Sequence, residues 1–282
     1  MPQELRLEAV CPTKNEIIDY NNIRKERGKM KTLNIPIPTA GNLKHYLARK
    51  HRPLKIFGKE IAFSTKPSTV EKAMKGMTEL KIPENANLRI KGQLNQDIAV
   101  IVNKGTLDAP GATFQRAENV KGKLTIKETT QDANSFGAET NIDIVGTDNL
   151  TCEGVANIGT IKGTNTNRGG KVNIKNVVEN NINHGGETNI ECLVGNNINH
   201  GGTANIRSVL GHNTNHGGEV NIETIRGNNT AKGGKATIGT IQGNSYTTDK
   251  GMLNYGEVLG KNITVSGGKK IKDETLIGKS VL

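Results

Sequence analysis

Residues 169–232 read GGKVNIKNVVENNINH, GGETNIECLVGNNINH, GGTANIRSVLGHNTNH and GGEVNIETIRGNNTAK, four units of sixteen residues with no gap between them. The register runs backwards through EGVANIGTIKGTNTNR (153–168) and GAETNIDIVGTDNLTC (137–152), and more loosely through KGKLTIKETTQDANSF (121–136). Forwards, GGKATIGTIQGNSYTTD (233–249) carries one extra residue, and KGMLNYGEVLGKNITV (250–265) recovers the pattern. A self-similar period of this kind decides the fold before any local propensity does.

Counting from Gly169 as position one, position six is Ile126, Ile142, Ile158, Ile174, Ile190, Ile206, Ile222 and Ile238, then Tyr255. Position nine is Val145, Ile161, Val177, Leu193, Val209, Ile225, Ile241 and Val258. Position four is Val, Thr, Ala or Leu, two residues before position six and so on the same face of a strand. The β-branched content suits strands rather than helices, and glycines at positions one, two and eleven punctuate the unit with turns. Sixteen residues are too few for a helical-hairpin repeat of about 33–47 residues or a leucine-rich repeat of about 20–29. The pattern therefore predicts a mainly β protein: a right-handed, single-stranded parallel β-helix of 16-residue coils about 4.8 Å apart, in which the stack makes a core that no single coil has.

Asparagine recurs as strictly as isoleucine. Position five is Asn141, Asn157, Asn173, Asn189, Asn205 and Asn221; position thirteen is Asn149, Asn165, Asn181, Asn197, Asn213 and Asn229; position fifteen is Asn167, Asn183, Asn199 and Asn215. Stacked amides pass hydrogen bonds from coil to coil, and Asn tolerates the left-handed backbone of tight corners. A two-column Asn/Thr face at positions thirteen to fifteen, if flat and exposed, would also suit an ice or crystal surface. His184, His200 and His216 form a further column at position sixteen, shared with Cys152, Arg168 and Lys232. A straight ladder presents parallel ligands where a tetrahedral metal needs converging ones. These histidines are read as a contact column on the repeat face, with no metal and no cofactor assigned.

The chain of 282 residues has 33% hydrophobic and 3% aromatic residues and no Trp. An ordinary domain is about 45–50% apolar with Gly included, and 34 glycines close most of that gap, as thin layers of Val, Ile, Leu and Thr would. The net charge of +11 is uneven: residues 1–85 hold 17 Lys and Arg against 9 Asp and Glu, whereas residues 86–282 hold 21 against 18. The basic third favours an anionic partner. Cys11, Cys152 and Cys192 form no CxxC pair, and reduced thiols in a cytoplasmic protein are the simplest account. No signal peptide or membrane span is visible, which leaves export without a cleavable signal peptide as the alternative.

Residues 1–85 lack the repeat and read as a basic α+β N-terminal module and cap; residues 86–282 read as the solenoid. Within the module, 15–29 and 41–52 suggest basic helices, the second stopped by Pro53. LKIFGKEIAF (54–63) suggests a hairpin turning at Gly58–Lys59. STVEKAMKGMTEL (68–80) suggests a helix with a Ser68/Glu71 capping box and a Val70, Met74, Met77 stripe that covers the first coil. Irregular first coils run from 85 to about Phe114. Lys44, His45, Arg49, Lys50, His51 and Arg52, with Lys55 nearby, make the sharpest functional hint. The plain reading is a solvated helix face, and the functional reading is contact with phosphates or anionic lipid head groups.

Motifs for nucleophilic, nucleotide or zinc chemistry are absent from the sequence. Glu139, Glu187 and Glu219 share position three, but two coils are about 9.6 Å, at or beyond the roughly 5–9.5 Å that paired glycosidase carboxylates need. From about residue 86 onward, and best in RIKGQLNQDIAVIVNKGTL (89–107), the chain resembles the polymer-forming bactofilins and, more loosely, the haemagglutinin-type repeats of bacterial adhesins, at the level of architecture. That resemblance implies a cytoplasmic scaffold assembling end to end, sometimes touching membrane; the basic, partly helical N-terminus departs from it. The expected function is a non-enzymatic structural or interaction protein: a rigid scaffold with a basic docking module, partnered by protein, by itself, or by an anionic membrane or nucleic acid through residues 41–59. A small-molecule substrate does not fit. The alternatives are a β-helix polysaccharide lyase or hydrolase, and a leaderless bacterial effector.

Overall fold

The structure, a computed structural model, describes residues 33–37, 39–48, 55–56, 59–248, 250–264 and 267–273. It is mainly β, a parallel β-solenoid of about twelve turns. Each regular coil holds one strand of seven residues and one of three, as in Lys171–Val177 followed by Asn181–Asn183. Both pair in parallel with their equivalents sixteen residues on: Asn173 with Asn189, Ile174 with Ile190, Asn181 with Asn197. The extra residue of the eighth unit is absorbed between strands, because Lys235 pairs with Met252 and the ladder then resumes.

Position six from Ile142 to Ile238 and position nine from Val145 to Ile241 are buried, with position four between them. Each coil adds only three such side chains from its long strand, and the stack makes them continuous, which fits a chain with almost no aromatics.

The short strand inverts the usual hydrophobic rule. In Asn181–Asn183, Asn197–Asn199 and Asn213–Asn215 the two outer positions are buried and the middle one is half-buried. The asparagines point into the core, while Ile182, Ile198 and Thr214 point out. Burying an amide is costly only if its hydrogen bonds are lost. Here each Asn finds an identical partner one coil away. Asn149, Asn165, Asn181, Asn197 and Asn213 each donate from Nδ2 to Oδ1 of the next coil's asparagine, at 2.7–2.8 Å. Position fifteen does the same from Asn183 to Asn199 and from Asn199 to Asn215, at 2.9 and 3.1 Å. This corrects the ice-face expectation, since two of its three columns are interior.

A second ladder runs along the outer surface of the long strands with the opposite polarity. Asn157, Asn173, Asn189, Asn205 and Asn221 each donate back to Oδ1 of the preceding coil's asparagine, at 2.8–3.0 Å. Corners are secured differently. Gly186 has φ +73°, and a Cβ there would lie 2.2 Å from the carbonyl oxygen of Gly170, so close approach of successive corners admits no side chain. At the opposite corner, position twelve accepts the backbone N–H of the next coil: Asn196 Oδ1 from His212, and His212 Nδ1 from Asn228, both at 2.8 Å.

Parallel pairing crosses residues 85–86. The strand Lys59–Thr65 pairs with Leu33–Pro36 on one side and with Asn87–Ile90 on the other. An antiparallel pairing sets Ile56 opposite Lys59, so Lys59 lies in the strand and not in the turn expected at Gly58–Lys59. Two helices pack on these first coils, α1 (Ala40–Ala48) and α2 (Pro67–Met74), burying Leu43, Val70, Ala73 and Met74. Two details differ from expectation. Lys66, not Ser68, is the N-cap of α2, and no side chain caps it; Pro67, with its preset φ and missing N–H, starts the helix one residue earlier. Met77 lies beyond the helix end and is 46% exposed. The strands Leu94–Asn103 and Thr106–Val120 carry register shifts and enclose Phe114, as the irregular first coils predict. The helix expected over 15–29 lies outside the described residues.

Candidate functional site: the outward columns and the basic helix

Three columns face outward from the short strands. Position fourteen is Leu150, Thr166, Ile182, Ile198, Thr214, Thr230, Tyr246 and Ile263, an aliphatic and hydroxyl strip that runs the length of the regular coils. The buried–half-buried–buried alternation of the short strands fixes their outward direction. Position twelve flanks the strip with Asp148, Thr164, Asn180, Asn196, His212, Asn228, Asn244 and Lys261. Position sixteen flanks it on the other side.

At position sixteen, His184, His200 and His216 are exposed. Their rings stack with centroids 5.0 Å apart and planes 6° and 9° from parallel. The spacing follows from the coil rise, and the parallel planes follow from identical backbones in register. Burial first, then Lys232 and His200, hold the His216 imidazole below its ordinary range. Ring nitrogens therefore lie in parallel rows rather than converging, and among the described residues no group of three or more His, Cys, Asp or Glu is placed to hold a metal ion.

The long strands form a wide face and the short strands a narrow one, and on the wide face charges pair from coil to coil. Lys171 donates to Glu187 at 2.9 Å and Lys235 to Glu219 at 3.2 Å, each between adjacent coils. The Lys171 bond, with a second from Asn189, holds the Glu187 carboxyl below its usual range. Cys152 is a free thiol, and Cys192 is buried on its long strand.

Of the basic cluster, Lys44 and His45 sit exposed on α1. Arg49, Lys50, His51 and Arg52 lie outside the described residues, as does the side chain of Lys55. Tyr46 anchors the same helix: its hydroxyl accepts the Asn87 N–H at 2.7 Å and donates to the Asn87 carbonyl at 3.2 Å, while its ring meets Phe63 at 4.5 Å. Burial pushes its phenol up to about 12, partly offset by the backbone bond to Asn87. At the far end, Lys270 pairs with Leu253 at an interior position and donates to the carbonyls of Ile263 at 2.7 Å and Ser245 at 3.2 Å, and to Asn262 Oδ1. Neither Tyr46 nor Lys270 carries a motif that the sequence alone could reveal.

Neither a known family model, nor a curated protein, nor a solved structure matches the chain. No helix among the described residues is long and apolar enough to cross a membrane.

Proposed function

We propose that the chain is a non-enzymatic interaction protein, a rigid rod with a basic N-terminal docking segment. The observation that carries this reading is the pair of amide ladders, one interior and one exterior, that tie each coil to the next from Asn149 to Asn229 and from Asn141 to Asn221. Each bond is charge-neutral and repeated, so the stack resists bending and holds its outward columns in fixed register. Twelve coils at about 4.8 Å give a rod roughly 55–60 Å long. Lys44 and His45, exposed on a helix anchored by Tyr46, belong to the basic stretch 41–59 that meets an anionic surface. End-to-end assembly of the bactofilin kind is the finer form of the proposal.

The test is negative-stain imaging with light scattering of the full chain at low and high salt, together with sedimentation on anionic and neutral vesicles. Straight rods or filaments, and salt-sensitive sedimentation lost in the combined Lys44→Gln, Arg49→Gln, Lys50→Gln, Arg52→Gln variant, support the reading. Turnover of a polysaccharide by the purified protein overturns it.

A further inference from the structure

Position sixteen runs Arg168, His184, His200, His216, Lys232 over five successive coils, all exposed. At about 4.8 Å per coil this is a straight line of cationic or titratable groups about 19 Å long. The line is one-sided. Position fourteen beside it is Thr166, Ile182, Ile198, Thr214 and Thr230, and position twelve is Thr164, Asn180, Asn196, His212 and Asn228, so no carboxylate lies in these three columns over these coils. The glycines at positions one and two leave the other flank without side chains. Acids border the face only at its Thr164 corner, where Glu179 accepts from Thr164 Oγ1 at 3.3 Å and Asp148, one coil below, accepts the Thr164 N–H at 2.7 Å; Glu187 and Glu219 on the wide face are paired with Lys171 and Lys235. Beyond the rim, Arg226 adds a further positive charge.

The stacking decides which polyanion fits. Each imidazole face of His200 is covered by a neighbouring ring at 5.0 Å, so the column offers ring edges, which hydrogen-bond and carry charge, and no open aromatic platform. Single-stranded nucleic acid is held largely by bases stacked on aromatic faces, and none is presented here. A chain of sugar acids needs neither bases nor platforms. It needs a row of cationic donors for its acid groups and a flat aliphatic strip for its C–H faces, and the half-buried pair Ile182 and Ile198 supplies the centre of that strip.

We propose that the narrow face between Thr164 and Lys232 is a binding site for an anionic polysaccharide of the polyuronate class, laid parallel to the rod axis with its carboxylates on the Arg168–His184–His200–His216–Lys232 column. The site rests on the reading of the chain as an interaction rod and names a partner for its solenoid. With the three histidines protonated the formal charge of the column is +5, against +2 with none protonated, so affinity rises as pH falls. His216 is held below its ordinary range by burial, then by Lys232 and His200. His212, in the neighbouring column, already spends Nδ1 on the Asn228 N–H and contributes at most through Nε2.

The experiment uses the full chain and three probes: polygalacturonate, a single-stranded DNA of matched charge, and neutral dextran, each at about pH 5.5 and about pH 8, on either side of the histidine range. The proteins are the parent, the His184→Asn, His200→Asn, His216→Asn combination, the corresponding Gln combination, and the Lys44→Gln, Arg49→Gln, Lys50→Gln, Arg52→Gln variant. The expected result is polygalacturonate binding tighter at the lower pH by about tenfold or more, with no binding of dextran. Both histidine combinations, still folded by thermal denaturation, lose that difference and show a salt slope lower by about 2. The N-terminal variant keeps it, which separates this site from the docking segment. Retention of pH-dependent binding by the folded histidine combinations overturns the proposal, as does DNA binding as tight as polygalacturonate, or failure to bind polygalacturonate at the lower pH.

Discussion

Asn149 and Asn229 are the two ends of one polarised chain of amides: the first leaves its Oδ1 without a hydrogen bond, the second its Nδ2. Every amide between them is satisfied by its neighbours above and below. At the upper end, position thirteen becomes Ser245, whose shorter side chain does not receive the Asn229 donor, and Ser245 Oγ and Thr247 Oγ1 are left buried without partners. Ser245→Asn is expected to carry the ladder one coil further and stabilise the protein by about 1 kcal/mol, a rise of roughly 2–4 °C in Tm for a chain of this size. Asn197→Ala, in mid-ladder, strands a donor and an acceptor at about 1–3 kcal/mol each. Calorimetry of both variants checks the pair; a Ser245→Asn protein less stable than the parent would refute the ladder account.

Two glycines with opposite surroundings give a matched test of the corner. Gly186→Ala places a Cβ 2.2 Å from the Gly170 carbonyl oxygen at φ +73°, and is expected to destabilise the coil by several kcal/mol, since both strain and overlap act. Gly41, in α1, has nothing within 4 Å of its would-be Cβ. Gly41→Ala is expected to stabilise by about 0.5–1 kcal/mol through helix propensity. Urea titration of each variant, with an unchanged m-value for Gly41→Ala, is the measurement.

His216 makes stability depend on pH in a defined window. Its folded-state proton affinity is lowered, burial being the largest cause and Lys232 and His200 the next. The unfolded chain then binds the proton first as pH falls. Its contribution is therefore complete above the ordinary histidine value, about 6.5, and is lost as pH drops below that value toward the lower folded-state one. Tm measured from about pH 7.5 to about pH 5.5 should fall, and His216→Asn should make the fall shallower. Glu187 acts lower down: its carboxyl is depressed by the Lys171 bond, so its contribution persists until pH falls below the usual carboxylate range. A His216→Asn profile parallel to the parent's throughout would count against the assignment.

Tyr46 gives the complementary alkaline signature. Its phenol is raised to about 12 from 10.0, so the folded chain keeps the proton that the unfolded chain loses first. Its contribution is complete below about pH 10 and is lost as pH rises toward its folded value. Ultraviolet titration of tyrosinate should show a late component that disappears in Tyr46→Phe. That variant strips the Asn87 N–H of its acceptor and is expected to cost about 1 kcal/mol, loosening α1 before the coils melt.

The coil, its period and its aliphatic core were legible in the sequence because position six repeats as Ile and a parallel ladder can stack like residues only at one register. Coil-to-coil amide bonding was legible for the same reason. The direction of the short strand was not. By hydrophobicity Ile198 belongs inside and Asn197 outside, and the structure does the reverse, because a buried Asn with an identical partner above and below has no unmet hydrogen bond, a property of the stack that no single unit displays. The capping-box reading of Ser68 and Glu71 failed at Pro67, a stronger helix-start signal one residue earlier. The histidine column was visible as a spacing, but the stacked ring faces that bear on its choice of ligand are a matter of side-chain orientation. Four of the seven basic residues singled out near the N-terminus fall outside the described residues.

The in-register sixteen-residue spacing also makes the molecule a ruler with discrete graduations. Excising residues 185–200 as a block would set Asn213 above Asn181 and His216 above His200's former neighbour His184, with every column of the flanking coils intact, because each coil meets only the one before and the one after. A deletion of fifteen or seventeen residues at the same place would instead turn the short-strand asparagines toward solvent. Gain or loss of whole units therefore lengthens or shortens this rod in steps of about 4.8 Å.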